Sequence, residues 1–201
     1  MKTVNLFSKA HFIVAALFVF LFLSSWVVQG QDRWSFEFRP GVNFPTQKLG
    51  DTDLKTGYGF EGSLAYRFIP HLSIYGGWSW NRFPSDQSFA GANIDFEETG
   101  YTYGLQFIHP IATSKINLLL RAGGLANHIE VENSSGDSIA DSGHGFGWQA
   151  EAGVAIQLGE KWRVQPSVRY RSLSRDITLD GTTTAVDLNY ISLGVGMVRI
   201  F

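Results

Sequence analysis

Residues 148–171 read WQAEAGVAIQLGEKWRVQPSVRYR. Up to Leu158 every second residue is apolar: Trp148, Ala150, Ala152, Val154, Ile156 and Leu158, with Gln149, Glu151, Gly153 and Gln157 among those between. After Gly159-Glu160 the alternation resumes, with Trp162, Val164, Pro166, Val168 and Tyr170 set against Arg163, Gln165, Ser167, Arg169 and Arg171. Successive side chains of a strand project to opposite faces, so the stretch predicts two strands, each with one apolar and one polar face, joined by a tight connection. A helix does not fit, because apolar residues recur at i and i+2 rather than at i, i+3 and i+4.

The same pattern extends outward in both directions. Toward the N-terminus it appears at Trp34 to Phe44, with Glu37 and Arg39 on the polar face, and at Tyr58 to Phe68, with Glu61 and Arg67. It recurs at Leu72 to Trp80, at Tyr101 to Phe107, and at Ile116 to Ala122, where Arg121 is polar-facing. A last segment, Ile191 to Phe201, brings the count of alternating runs to eight.

A soluble β-sandwich also alternates, so the pattern needs a second criterion. Ionisable residues recur opposite the apolar ones at Glu37, Arg39, Glu61, Arg67, Arg121, Glu151, Arg163, Arg169 and Arg171. A membrane barrel turns its apolar face to lipid and encloses such residues. The connections settle the choice. Short links at Ile69-Pro70, around His109 to Thr113 and at Gly159-Glu160 alternate with longer ones over 45–56, 84–94, 130–143 and 174–186. Outer-membrane barrels have short periplasmic turns, longer outer loops and an even number of strands. The expected fold is therefore all-β, an eight-stranded antiparallel transmembrane up-and-down β-barrel. Trp34, Phe68, Phe107, Trp162 and Phe201 near the short turns, and Phe44, Tyr58, Trp80, Tyr101, Trp148 and Tyr170 near the long ones, are expected to form two aromatic girdles.

The first thirty residues are of a different kind. Lys2 and Lys9 precede an uncharged apolar run from Phe12 to Leu23, and Val28-Gln29-Gly30 offers a cleavage site before Gln31. The expected organisation is a cleaved signal peptide over 1–30 and a barrel domain over 31–201, since the run is shorter than the roughly 20 residues of a spanning helix. Of the 16 Lys and Arg two lie in the leader, whereas all 18 Asp and Glu follow it, leaving the remainder with a net charge of −4. That balance speaks against a nucleic-acid partner. The chain has no cysteine, so neither disulfides nor thiolate metal sites are available to it.

With its leader, eight alternating segments and terminal strand Tyr190-Ile191-Ser192-Leu193-Gly194-Val195-Gly196-Met197-Val198-Arg199-Ile200-Phe201, the sequence resembles the small outer-membrane β-barrel proteins of the OmpA transmembrane-domain, OmpX and opacity-porin type. The resemblance implies residence in the cell outer membrane, contact with its lipid, and insertion by the barrel-assembly machinery with Phe201 as the assembly signal. Arg199 departs from the pattern, since it falls in the lipid-facing series; near a membrane edge its head group would reach water.

An eight-stranded barrel has an interior that side chains can fill. The nine ionisable residues named above are expected there as a polar network that plugs the lumen, giving a monomeric protein with a structural or surface-interaction role. A narrow porin-like conduit is the alternative, with an anion preference because arginines outnumber carboxylates in this set. A lipid-modifying enzyme is the third reading. Ser142, His144 and His128 flank one loop, but no nucleophile, base and orienting group emerge from their spacing, so no catalytic residue, metal ligand or cofactor is assigned. Gly123-Gly124 and Gly143-His144-Gly145-Phe146-Gly147 lack the lysine and following helix of a phosphate loop and read as strand glycines. The outer loops lean acidic, through Asp51, Asp53, Asp86, Glu130, Glu132, Asp137, Asp141, Asp176 and Asp180. An external ligand is not legible.

Overall fold

The computed structural model describes residues 32–112, 114–179 and 181–201; the expected leader over 1–30 lies outside them. The strands are β1 (Trp34–Pro45), β2 (Gly57–Ile69), β3 (Leu72–Ser88), β4 (Gly91–Pro110), β5 (Ile116–Glu132), β6 (Ser138–Asp141), β7 (Gly145–Gln157), β8 (Trp162–Leu179) and β9 (Thr182–Ile200). Among the described residues there is no helix.

Each long strand pairs antiparallel with its two neighbours, in the order β1, β2, β3, β4, β5, β7, β8, β9 and back to β1. Closure comes from β1 lying against β9, for example Val42 opposite Leu193, and from β4 lying against β5. Closing the sheet gives each long strand a partner on both sides in the lower part of the barrel, while the upper parts of β3, β8 and β9 pair on one side only. The ninth strand, β6, has only four residues and is an addition to β5 within an outer connection.

Strand lengths divide the ring into two storeys. A barrel strand crosses a membrane with about 9–11 residues. β1, β2 and β7 have 12 or 13, but β3, β4, β5, β8 and β9 have 17 to 20. The surplus continues past the membrane on the side away from the short turns. Two of the connections expected as loops, 84–94 and 174–186, are thus mostly strand: β3 and β4 meet across Phe89-Ala90, and β8 and β9 meet at Gly181. Pairing persists there because most inward positions stay apolar at period two, with Phe83 opposite Phe96 and Leu173 opposite Leu188. The connections over 46–56 and 133–144 remain irregular apart from β6 and a tight turn in which Leu49 and Thr52 exchange backbone hydrogen bonds of 2.9 and 3.0 Å.

The sense of the alternation inverts between storeys. In the lower one the inward residues are Glu37, Glu61, Arg121, Glu151 and Arg169, all buried, and the outward ones are apolar and exposed, among them Leu64, Ile74, Leu105, Val168 and Leu193. In the upper one the same inward parity carries Phe83, Ile94, Phe96, Leu125, Ile129, Val131, Leu173, Ile177, Val186 and Leu188, packed with Leu49 into one dry cluster. Outward positions there are Arg82, Asp95, Glu97, His128, Glu130, Ser174, Asp176 and Asp187. A lower wall that faces hydrocarbon and an upper wall that faces water demand opposite patterns, so the inversion marks the outer boundary of the membrane.

Candidate functional site

The lumen of the lower storey is filled by ion pairs that cross it. Arg121 on β5 reaches Glu37 on β1, four strands around the ring, and its Nε donates to Gln106 Oε1 at 2.8 Å. Arg169 on β8 donates through Nε to Glu151 Oε2 at 2.8 Å and through Nη2 to Glu61 Oε1 at 3.1 Å. Arg171 donates to Glu61 at 2.6 Å, to Ser79 Oγ at 3.0 Å and to the Tyr190 hydroxyl at 3.2 Å. Arg39 donates to Ser167 Oγ at 3.1 Å and lies 3.8 Å from Glu151. The Arg121 guanidinium also stands over the Tyr75 ring, 5.2 Å from its centre.

Seven of the nine residues expected in this network are therefore brought together: Glu37, Arg39, Glu61, Arg121, Glu151, Arg169 and Arg171. Arg67 and Arg163 stand apart from the buried group. Arg67 is exposed and Arg163 is half-buried, its Nε donating to Gln157 at 3.0 Å. Both lie close to short turns, so their long side chains end at the barrel mouth, where water competes for them. One member was missed. Glu98 is fully buried, accepts from Asn81 at 2.6 Å and from Tyr190 at 2.7 Å, and lies 3.3 Å from Arg171. Its parity with Thr102 and Gln106 could have placed it, had β4 been extended upstream of Tyr101. The buried inward count then becomes five arginines, Arg39, Arg121, Arg169, Arg171 and Arg175, against four glutamates, Glu37, Glu61, Glu98 and Glu151. The excess of six arginines over three carboxylates in the expected set narrows to one, and Arg175 donates to the backbone carbonyls of Asn127 and Phe146.

Glycines make room for these side chains. A Cβ at Gly194 would come within 2.8 Å of the Arg39 guanidinium, and one at Gly196 would collide with the Glu37 carboxylate. A void lined by Arg39, Glu61, Ser79, Asn81, Arg169, Arg171 and Tyr190 measures about 10 Å³, roughly the room of a single water. Above it the ring of Phe83 meets that of Tyr190 at 4.9 Å, where the polar interior gives way to the apolar cluster.

The upper rim is ionic on its outer face. Arg82 is held by Asp95, by Glu97 at 3.3 Å and by Glu132 at 3.7 Å, while Trp80 Nε1 donates to Glu97 at 2.7 Å. The Glu132 carboxyl is pushed above its ordinary range, first by partial burial and then by the negative charge of Glu97. Lys48 pairs with Asp53 at 2.8 Å in the first loop, and Lys55 pairs with Asp86 at 2.5 Å. Ser142 is a turn residue: its Oγ accepts from the Ile129 amide at 2.8 Å and donates to the Gly143 carbonyl at 3.0 Å.

Residues 14–198 match the family model described as the outer membrane protein beta-barrel domain. The chain belongs to that family. Solved structures give the same fold at low sequence identity. Neisserial surface protein A aligns at 14% identity and a TM-score of 0.61, over 85% of this chain and 98% of that one. OprG from Pseudomonas aeruginosa aligns at 16% and 0.57, over 87% and 99%; Escherichia coli outer membrane protein W aligns at 16% and 0.57, over 86% and 100%. No curated protein matches the chain in sequence.

Membership of an outer-membrane family gives the exposed apolar wall its solvent. Trp34 meets Tyr66 at 4.8 Å with the rings tilted, and Trp162 lies under the Arg199 guanidinium at 5.1 Å, both beside the short-turn end. At the opposite boundary Tyr58 meets Trp80 at 5.8 Å and Trp148 meets Tyr170 at 5.3 Å. These rings stand at the two heights where girdles were expected, and Arg199 lies beside Trp162 at the short-turn end.

Proposed function

We propose that the protein is a structural barrel of the outer membrane, closed to solutes, that holds a water-facing upper storey above the lipid for surface interaction. One observation carries this reading: in the lower storey Arg39, Arg121, Arg169 and Arg171 stand against Glu37, Glu61, Glu98 and Glu151, and a void among them measures about 10 Å³. A hydrated ion passing through would have to part ion pairs that are individually buried, and breaking one such pair costs about 3–5 kcal/mol. The apolar cluster overhead adds a second obstacle, because side chains such as Phe83, Phe96, Ile129 and Leu188 cannot replace a hydration shell. The leader is proposed to export the chain and be removed before Gln31, Phe201 to engage the barrel-assembly machinery, and the inserted protein to remain a monomer without catalytic activity or cofactor.

Single-channel recording in planar bilayers tests the reading. The purified protein should give no stable conductance steps; reproducible steps would favour the porin-like conduit instead. Mass spectrometry of outer-membrane lipids, with and without the protein, should show the same species. A modified lipid appearing only with the protein would favour an enzyme.

A further inference from the structure

On the outer face of the upper storey the sheet register sets Glu97 of β4 directly opposite Glu130 of β5, and Glu130 opposite Asp141 of β6. Like charges placed directly across neighbouring strands repel and destabilise the pairing. At the Glu97 end the repulsion is answered by Arg82, 3.3 Å away. At the Asp141 end, among the ion pairs of the described residues, the group facing the two carboxylates is an imidazole. His128 Nδ1 lies 3.0 Å from Asp141 Oδ2 and 3.7 Å from Glu130 Oε1.

Backbone pairing builds this arrangement. His128 and Glu130 are two residues apart on β5 and so share its outward face, while Asp141 is the cross-strand partner of Glu130. One nitrogen and two oxygens, one from each side chain, all fall within 4.8 Å of one another. The His144 ring lies parallel to that of His128, with centres 4.5 Å apart and planes 15° from parallel, and so restrains the plane of the His128 ring.

We propose that His128, Glu130 and Asp141 form a binding site for one divalent cation of the zinc class. The donor set selects the ion: magnesium and calcium prefer oxygen alone, whereas zinc, nickel and copper accept imidazole nitrogen together with carboxylate oxygen. Two carboxylates balance the ionic charge, and the opposed Glu130–Asp141 pair becomes an attraction through the ion. Three protein ligands leave a fourth position for water or an external group. The bound ion joins β5 to β6 and thereby fixes the turn between them, which is closed by the Asn133 amide donating to the Asp137 carbonyl at 3.0 Å.

Isothermal titration tests the site, using the full chain expressed and inserted by cells and purified in detergent without a histidine tag. Zinc chloride titrated in the presence of excess magnesium should show one saturable site. His128→Ala and Asp141→Asn should each weaken it at least about tenfold, while Glu97→Gln, in the neighbouring acidic group, should leave it unchanged. The shift in electrophoretic mobility on boiling confirms that each variant is folded. Absence of saturable zinc binding, an affinity indifferent to His128→Ala, or equal displacement by magnesium would overturn the proposal.

Discussion

The phenol of Tyr190 donates a 2.7 Å hydrogen bond to the Glu98 carboxylate, while its ring stands against Phe83 in the apolar cluster above. One side chain thus spans the floor of the dry storey and the roof of the charged one. Tyr190→Phe keeps the ring and removes the hydroxyl from a fully buried carboxylate. We expect a loss of about 1–3 kcal/mol. Tyr190→Ala, which also empties the ring site, should cost about 3–5 kcal/mol. Urea unfolding in detergent micelles, followed by circular dichroism, measures both; equal losses would show that the hydroxyl and not the ring carries the effect.

Arg121 and Glu37 join strands on opposite sides of the ring. Arg121→Met leaves the Glu37 carboxylate enclosed without its cation and should destabilise by about 3–5 kcal/mol. Adding Glu37→Gln removes the orphaned charge and should restore a large part of that loss. A double-mutant cycle on the same unfolding assay gives the coupling, and strict additivity of the two changes would contradict a direct pair.

Val168 and Ser174 both point outward from β8, on either side of the polarity inversion. Val168→Arg puts a charge against hydrocarbon and should cost about 2–4 kcal/mol if it sits near the midplane. Ser174→Arg stands in water and should be near neutral, within about 0.5 kcal/mol. Comparison of folding yields into lipid vesicles reads the difference. Similar penalties at the two positions would misplace the membrane boundary.

Ile129 is fully buried in the upper cluster. Ile129→Ala should cost about 2–5 kcal/mol. Because the closed lower ring does not depend on that cluster, its effect should be local: amide exchange should accelerate in the tips of β3, β4 and β5, while amides around Arg169 stay protected. Uniform acceleration throughout the barrel would show one cooperative unit instead of two storeys.

Glu132 provides a pH dependence with a definite sign. Its folded-state pKa is raised, chiefly by partial burial and then by Glu97, so the folded chain holds that proton more tightly than the unfolded one. Ionised Glu132 therefore costs stability at neutral pH, and the cost vanishes as pH falls through the raised pKa toward the unfolded value of about 4.5. Glu132→Gln should raise the melting temperature at pH 7.5, with the gap from the unchanged protein closing by about pH 4.5. A variant that melts lower at pH 7.5 would show that the 3.7 Å pair with Arg82 outweighs the repulsion.

Much of the fold was legible because a strand's side chains alternate wherever its two faces meet different surroundings. Trp148 to Tyr170 alone disclosed two such strands, and the inward parity of Glu37, Glu61, Arg121, Glu151 and Arg169 followed without coordinates. Where the surroundings change along a strand, local pattern falls silent. Phe83, Phe96, Ile129 and Ile177 keep the inward parity of the charged residues below them, yet their polarity is reversed, so 84–94 and 174–186 read as loops. Only the folded structure shows that these positions pack together in a second, apolar interior above the charged one. Charge balance was likewise a tertiary matter. Parity placed Arg67 and Arg163 inside with the others, but height along the barrel puts them at its mouth, and Glu98 takes part because its strand begins well before the aromatic girdle. Sequence determined which way each side chain points; the closed three-dimensional ring decided what it meets there, because partners such as Arg121 and Glu37 are 84 residues apart along the chain and touch only across the lumen.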